Sequence, residues 1–107
     1  MLTSAGENPE LRGFILSMCK INFPYGCSEE LIDKGVNDNQ FAASPAILAG
    51  HIEYLKEKGY VRVEKISGGG LRRTVVFITP QGIDLLEGNI PEDPGIMSSV
   101  WREYNGG

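Results

Sequence analysis

Between Ser44 and Gly88 the apolar positions change period twice, from helical to alternating and back. Ile47, Leu48, His51, Ile52 and Leu55 recur at three- and four-residue steps, so they share one arc of a helix, which predicts that this arc faces a core. Ser44-Pro45 starts that helix, with Ser as the cap and Pro at the first helical position, where no N–H is needed. Lys56 and Lys58 sit in its last turn, where cations suit the dipole, and Gly59 stops it. From Tyr60 to Ile66, Val61 and Val63 alternate with Arg62 and Glu64, which predicts a strand. Ser67-Gly68-Gly69-Gly70 makes the connection, and Leu71 to Thr79 returns through Thr74, Val75, Val76, Phe77 and Ile78. Thr79-Pro80 repeats the cap-then-Pro start for a helix carrying Ile83, Leu85 and Leu86, which Gly88 ends.

The first third of the chain reads as two more helices. Asn8-Pro9 opens one, with Leu11, Phe14, Ile15, Met18 and Cys19 on a single apolar face, and Phe23-Pro24-Tyr25-Gly26 closes it. Ser28 caps a short second helix from Glu29 to about Lys34, with acids in its first turn, Leu31 and Ile32 inward, and a stop at Gly35. Val36 to Ala43 is a polar linker around Asn37-Asp38-Asn39. Three helices, a β-ribbon and a further helix give an α+β fold, the order of a winged helix-turn-helix: a three-helix core, a two-stranded β-wing and a C-terminal helix. The expected core is Leu11, Phe14, Ile15, Met18, Leu31, Ile32, Leu48, Ile52, Leu55, Val61, Val63, Ile78 and Leu86.

Residues 1–8 form an N-terminal arm, 9–90 the winged-helix domain and 91–107 a C-terminal extension. In that extension Met97, Val100, Trp101 and Tyr104 fall on one helical stripe. Three readings stay open for it: a segment folded back on its own domain, a dimer contact anchored by Trp and Tyr, or a frayed tail.

Composition narrows the classes. The 107 residues suffice for one domain, and 41% apolar with 22% charged residues is ordinary for a globule. No apolar run approaches the roughly 18 residues that span a bilayer, and the N-terminus lacks a signal-peptide pattern, so a cytoplasmic location is expected. The net charge of −4 argues against a general nucleic-acid binder but leaves room for a local basic patch. Cys19 and Cys27 are expected as free thiols, and with one histidine they make no zinc site of usual spacing. No metal and no cofactor is expected. His51 reads as a half-buried, hydrogen-bonded histidine. No nucleophile or phosphate-loop motif supports an enzyme.

The segments IEYLKEKGYVRVE and FITPQGIDLLEG resemble two signatures of bacterial winged-helix regulators. Ile52, Leu55, Gly59, Tyr60 and Val61 match the end of a recognition helix and the strand after it. Ile78, Thr79, Gly82, Leu85 and Leu86 match the start of the helix after the wing. MarR-, PadR- and ArsR-like proteins share these marks, and the short chain also resembles small phage- or prophage-encoded winged-helix proteins. The resemblance covers about residues 9 to 90. It implies a DNA-binding transcription regulator, homodimeric, reading two half-sites of double-stranded DNA.

Lys65, Arg72 and Arg73 flank the glycine turn, so the wing concentrates three of the chain's ten basic residues where a phosphate backbone could approach. A merely solvated, charged tip is the plain alternative. The third helix presents Ala46, Ala49, Gly50, Glu53, Lys56 and Glu57 outward, none of them a usual base reader near its N-terminus. Gln40 and Ser44 just before it, with Ala46, are the candidates that meet the groove. Such a bare face also suits a flat protein contact, which keeps a protein-interaction or assembly module as the rival reading.

Overall fold

The computed structural model describes residues 7–104, in the order α1 (Glu7–Ile21), β1 (Cys27–Ser28), α2 (Glu29–Asp38), α3 (Pro45–Glu57), β2 (Val61–Gly68), β3 (Leu71–Ile78), α4 (Pro80–Glu87) and α5 (Ser99–Tyr104). The proposed N-terminal arm lies outside the described residues up to residue 6. The sheet is three-stranded and antiparallel, β1-β3-β2, with Cys27 opposite Val76 and Val61 opposite Ile78. The helices pack on one face of it around Leu11, Ile15, Leu16, Ile32, Leu55, Leu85 and Leu86. This is the α+β winged-helix arrangement.

Three of the four expected caps behave as the sequence predicts. The Ser28, Ser44 and Thr79 hydroxyls accept from the N–H groups of Leu31, Ile47 and Gly82, and each satisfies one otherwise orphaned helix donor. Gly59 and Gly88 follow the ends of α3 and α4 with φ of 83° and 79°.

Several expectations are corrected. The first helix begins at Glu7, so Asn8 is a helical residue and not its cap; Pro9 still falls in the first turn, where N–H groups have no partner. The second helix does not stop at Gly35 but runs to Asp38. Gly35 lies against the Met18 side chain, where a Cβ would collide with the thioether. It is glycine for closeness to α1, and Val36 beyond it is fully buried. The expected linker therefore shrinks to residues 39–44. Leu31 and Ile47, both expected inward, are 45% and 41% exposed. Each lies about 100° beyond a buried neighbour, Ile32 or Leu48, on the side away from the core midline. Val63 is only half-buried. The short strand β1 was not expected. The ribbon connection is also tighter than Ser67–Gly70: pairing continues to Gly68 opposite Leu71. Only Gly69 and Gly70 turn, both with positive φ (58° and 82°), as a two-residue hairpin of the mirror-image type requires.

The C-terminal segment joins the same core through Ile96 and Val100. The Met97 N–H donates to the Pro9 carbonyl (2.9 Å), and α5 packs on α1. Met97 precedes α5 and is not on its helical stripe. A polar network ties this segment to α3. Arg12 stacks 3.8 Å from the Tyr54 ring centroid and donates to the Gly95 carbonyl (3.2 Å) and to His51 Nδ1 (3.2 Å). His51 is hydrogen-bonded as expected, but at 8% exposed it is buried and not half-buried. Asp93 accepts from the Tyr60 hydroxyl (2.8 Å) and the Gly95 N–H (2.8 Å) and pairs with Lys58 (3.0 Å). Burial pushes the Asp93 carboxyl up, but these three donors outweigh it and hold it below its ordinary value. Burial and the bond to Asp93 push the Tyr60 hydroxyl up to about 12.

Burial, reinforced by the Arg12 charge, lowers the His51 pKa below its ordinary 6.5. The folded state then binds fewer protons than the unfolded one, so His51 contributes stability above 6.5 that is lost as pH falls. Thermal melts at about pH 6.5 and 5 should show a larger fall in Tm for the wild type than for His51→Asn, and equal falls would dismiss His51 as the source. Gln40 follows α2 with φ of 67°, a left-handed conformation that costs a residue bearing a Cβ. Gln40→Gly should stabilise the fold by about 0.5–1 kcal/mol, a Tm rise of about 3–6 °C in calorimetry; a lower Tm would contradict the strain.

Candidate nucleic-acid interface

Two elements carry the candidate residues, the N-terminal end of α3 and the wing formed by β2 and β3. On α3, Ala46, Ala49, Gly50, Glu53 and Glu57 are exposed, as their helical positions predict. A Cβ on Gly50 would meet nothing, so this face is open and flat. Glu53 and Lys56 approach only to 3.9 Å, an exposed pair of little energetic weight. Gln40 and Ala46 are solvent-facing and available. The Ser44 hydroxyl is engaged as the cap, accepting from the Ile47 N–H at 3.3 Å.

Strand alternation decides what the wing presents. Val61, Val63, Lys65 and Ser67 face the same side, and their partners across the ribbon are Ile78, Val76, Thr74 and Arg72. Because Val61, Val76 and Ile78 are core residues, Lys65 and Arg72 project on the helix-packed side of the sheet, beyond the edge of the core. Arg73 takes the other face, beside Ile66 and close to Leu71. The register places Lys65 and Arg72 diagonally, about 7–8 Å apart between backbones, instead of directly opposed. With Ser67 and Thr74 they line a cleft of about 370 Å³ that also touches Ile66 and Arg73. The three cations expected at one tip are thus split over two faces.

The remaining wing arginine is spent locally. Arg62 pairs with Glu64 on the same face and lies 4.3 Å from the Phe77 ring centroid. Lys65, Arg72 and Arg73 have no acidic partner among the described residues.

The sequence reading missed a second feature. Glu29, Glu30 and Asp33 of α2 stand over Pro45, Leu48, Ala49 and Ile52 of α3 and border a groove of about 290 Å³. The three- and four-residue spacing of the acids was a visible signal, but it was read only as dipole complementation of a helix start. The residues assigned to a dimer contact are placed unevenly. Val100 is buried in the chain's own core, Trp101 is half-buried with the Lys20 ammonium 4.9 Å from its ring centroid, and Met97 is exposed. The Tyr104 side chain lies outside the described residues.

Cys19 and Cys27 are buried free thiols that interact with each other, and Asn22 Nδ2 also donates to Cys27 Sγ (3.0 Å). The bond from Cys19, with that from Asn22, outweighs burial and lowers the Cys27 thiol to about 7. Among the described residues no group of His, Cys, Asp and Glu could hold a metal ion, and no helix is long and apolar enough to cross a membrane.

Neither a family model nor a curated protein matches the sequence. Solved structures do. A PadR family transcription regulator from hypervirulent Clostridium difficile R20291 superposes with a TM-score of 0.65 at 17% identity, covering 90% of this chain and 91% of that one. A transcriptional regulator from Clostridium thermocellum superposes with a TM-score of 0.61 at 24% identity, covering 83% and 84%. At these identities the likeness is one of architecture: the chain has a winged-helix fold resembling that of a PadR family regulator.

Proposed function

We propose that this chain is a DNA-binding transcription regulator that holds the phosphate backbone with its wing. The observation that carries the reading is the unpaired couple Lys65 and Arg72, with Ser67 and Thr74 around them, on the side of the sheet where the helices pack. Two free cations supply charge for phosphate, and the two hydroxyls add neutral donors. The two solved structures of similar fold named above are described as transcription regulators, which supports the same assignment. Gln40, Ala46 and the Ser44 turn would approach the groove, with an alanine methyl able to touch a thymine methyl. So few readers on α3 imply weak base discrimination and an affinity dominated by phosphate. A homodimer joined through Met97 and the exposed side of α5 would present two such units to two half-sites about one helical turn apart.

One observation favours a second reading. Glu53 and Glu57 on α3 and the acids of α2 put negative charge beside the helix that would enter DNA. A protein-interaction module would tolerate that charge better than a base-reading helix would.

Fluorescence anisotropy with a labelled random-sequence duplex, at about 50 and 200 mM salt, separates the two. Wild-type binding should weaken steeply at the higher salt, and Lys65→Ala with Arg72→Ala should lower affinity and reduce the salt slope by about 2. Arg73→Ala, on the other face, should cost less. An unchanged slope in the double variant would remove the wing from the interface, and no binding at either salt would favour the interaction module.

A further inference from the structure

Two surfaces on this chain are complementary to each other. One is the groove between α2 and α3, with an apolar floor of Leu48, Ala49 and Ile52 under the acids Glu29, Glu30 and Asp33. None of these acids is paired with a cation among the described residues. The other is the outer face of the wing tip. There Ile66 and Leu71 are 49% and 64% exposed beside the unpaired Arg73, with Arg72 and Lys65 around the ribbon edge. Large aliphatic side chains are costly to leave in water at a hairpin tip, and covering them is favourable. Apart from Arg102, Lys65, Arg72 and Arg73 are the only Lys or Arg side chains among the described residues without a partner. Within one molecule the surfaces do not meet, since no wing residue lines the groove.

We propose that the wing tip of one copy docks in the α2–α3 groove of a second copy, Leu71 and Ile66 on the apolar floor and Arg73 among the acids. The contact joins two different patches, so it is heterologous and grows open chains instead of closing as a dimer. A hairpin tip is small against the roughly 1,200 Å² that stable interfaces bury, so the association is weak and concentration-dependent. It is also salt-sensitive, because the charges lie at an exposed rim. A docked tip covers Ala49 on the exposed side of α3, so self-association and DNA binding compete.

Sedimentation velocity over about 10–500 µM protein at about 50 mM salt tests this. The wild type should show a weight-average mass that keeps rising with concentration and returns to baseline at about 500 mM salt. Any dimer held through α5 is common to all variants and sets that baseline. A groove variant, Glu29→Lys with Glu30→Lys, and a wing variant, Leu71→Glu with Arg73→Glu, should each stay at baseline alone. An equimolar mixture should associate again, since the intact wing of the first meets the intact groove of the second. A wild type at baseline throughout, single variants that still grow, or a mixture that does not associate would each overturn the proposal. The groove variant should bind DNA at least as tightly as the wild type in the anisotropy assay, since it removes acids beside α3 and leaves the wing intact. Failure of the DNA reading would appear there, in every variant, without touching the sedimentation result.

Discussion

The structure depends on the burial of α1. From Gly13 to Cys19 every residue is buried, so the helix is enclosed on all sides instead of lying on a surface. It touches α2, α3, β3, α4 and α5. An enclosed helix must resolve its polar groups internally, and the Ser17 hydroxyl does so by donating to the Gly13 carbonyl one turn earlier (2.8 Å). Close approach by the neighbours demands small residues around it, which accounts for Gly35 of α2 against Met18. Everything that positions the candidate interface is referred to this one rod. Arg12 at its exposed edge carries the reference on to α3 through His51 and to the 93–97 loop through the Gly95 carbonyl.

What could be read from the sequence follows from how local each determinant is. Caps are local: Ser28, Ser44 and Thr79 each act on an N–H three residues on, and all three were legible. The helical arc of Leu48, His51, Ile52 and Leu55 was legible for the same reason. The end of α2 was not, because Gly35 has the composition of a stop while its reason is contact with a helix seventeen residues earlier. Strand β1 was invisible: two residues carry no periodicity, and Cys27 and Ser28 are a strand only because β3 lies beside them. The enclosure of α1 was half-legible, since the apolar stripe was plain but Gly13, Leu16 and Ser17 complete the circle without belonging to it.

For the candidate interface, the residue types were legible and their arrangement was not. Lys65, Arg72 and Arg73 could be counted at a tip, but which residue stands directly opposite each depends on where the turn begins. A four-residue Ser67–Gly70 loop would set Lys65 directly opposite Arg72, like charge facing like charge, which destabilises a ribbon. The observed Gly69-Gly70 turn shifts the pairing by two residues and sets each cation against a hydroxyl, Lys65 with Thr74 and Arg72 with Ser67. The acidic groove was missed because its two sides come from different helices, and only their packing brings the α2 acids and Ala49 to one groove.

The ribbon's burial has a consequence for its dynamics. Val61, Val76 and Ile78 anchor its base, but from Glu64 to Arg73 it keeps little shelter from the body. At about 3.3 Å per residue, the last five residues of β2 extend some 16 Å as an isolated two-stranded hairpin, which is marginal by itself in water. Amide hydrogen exchange should therefore quicken steadily from the Val61–Ile78 pair toward Gly68 and Leu71, even while the helices stay closed. Whatever the wing grips, part of the energy of gripping goes into ordering the ribbon. A stiffer hairpin would hold the same partner more tightly without a single new contact.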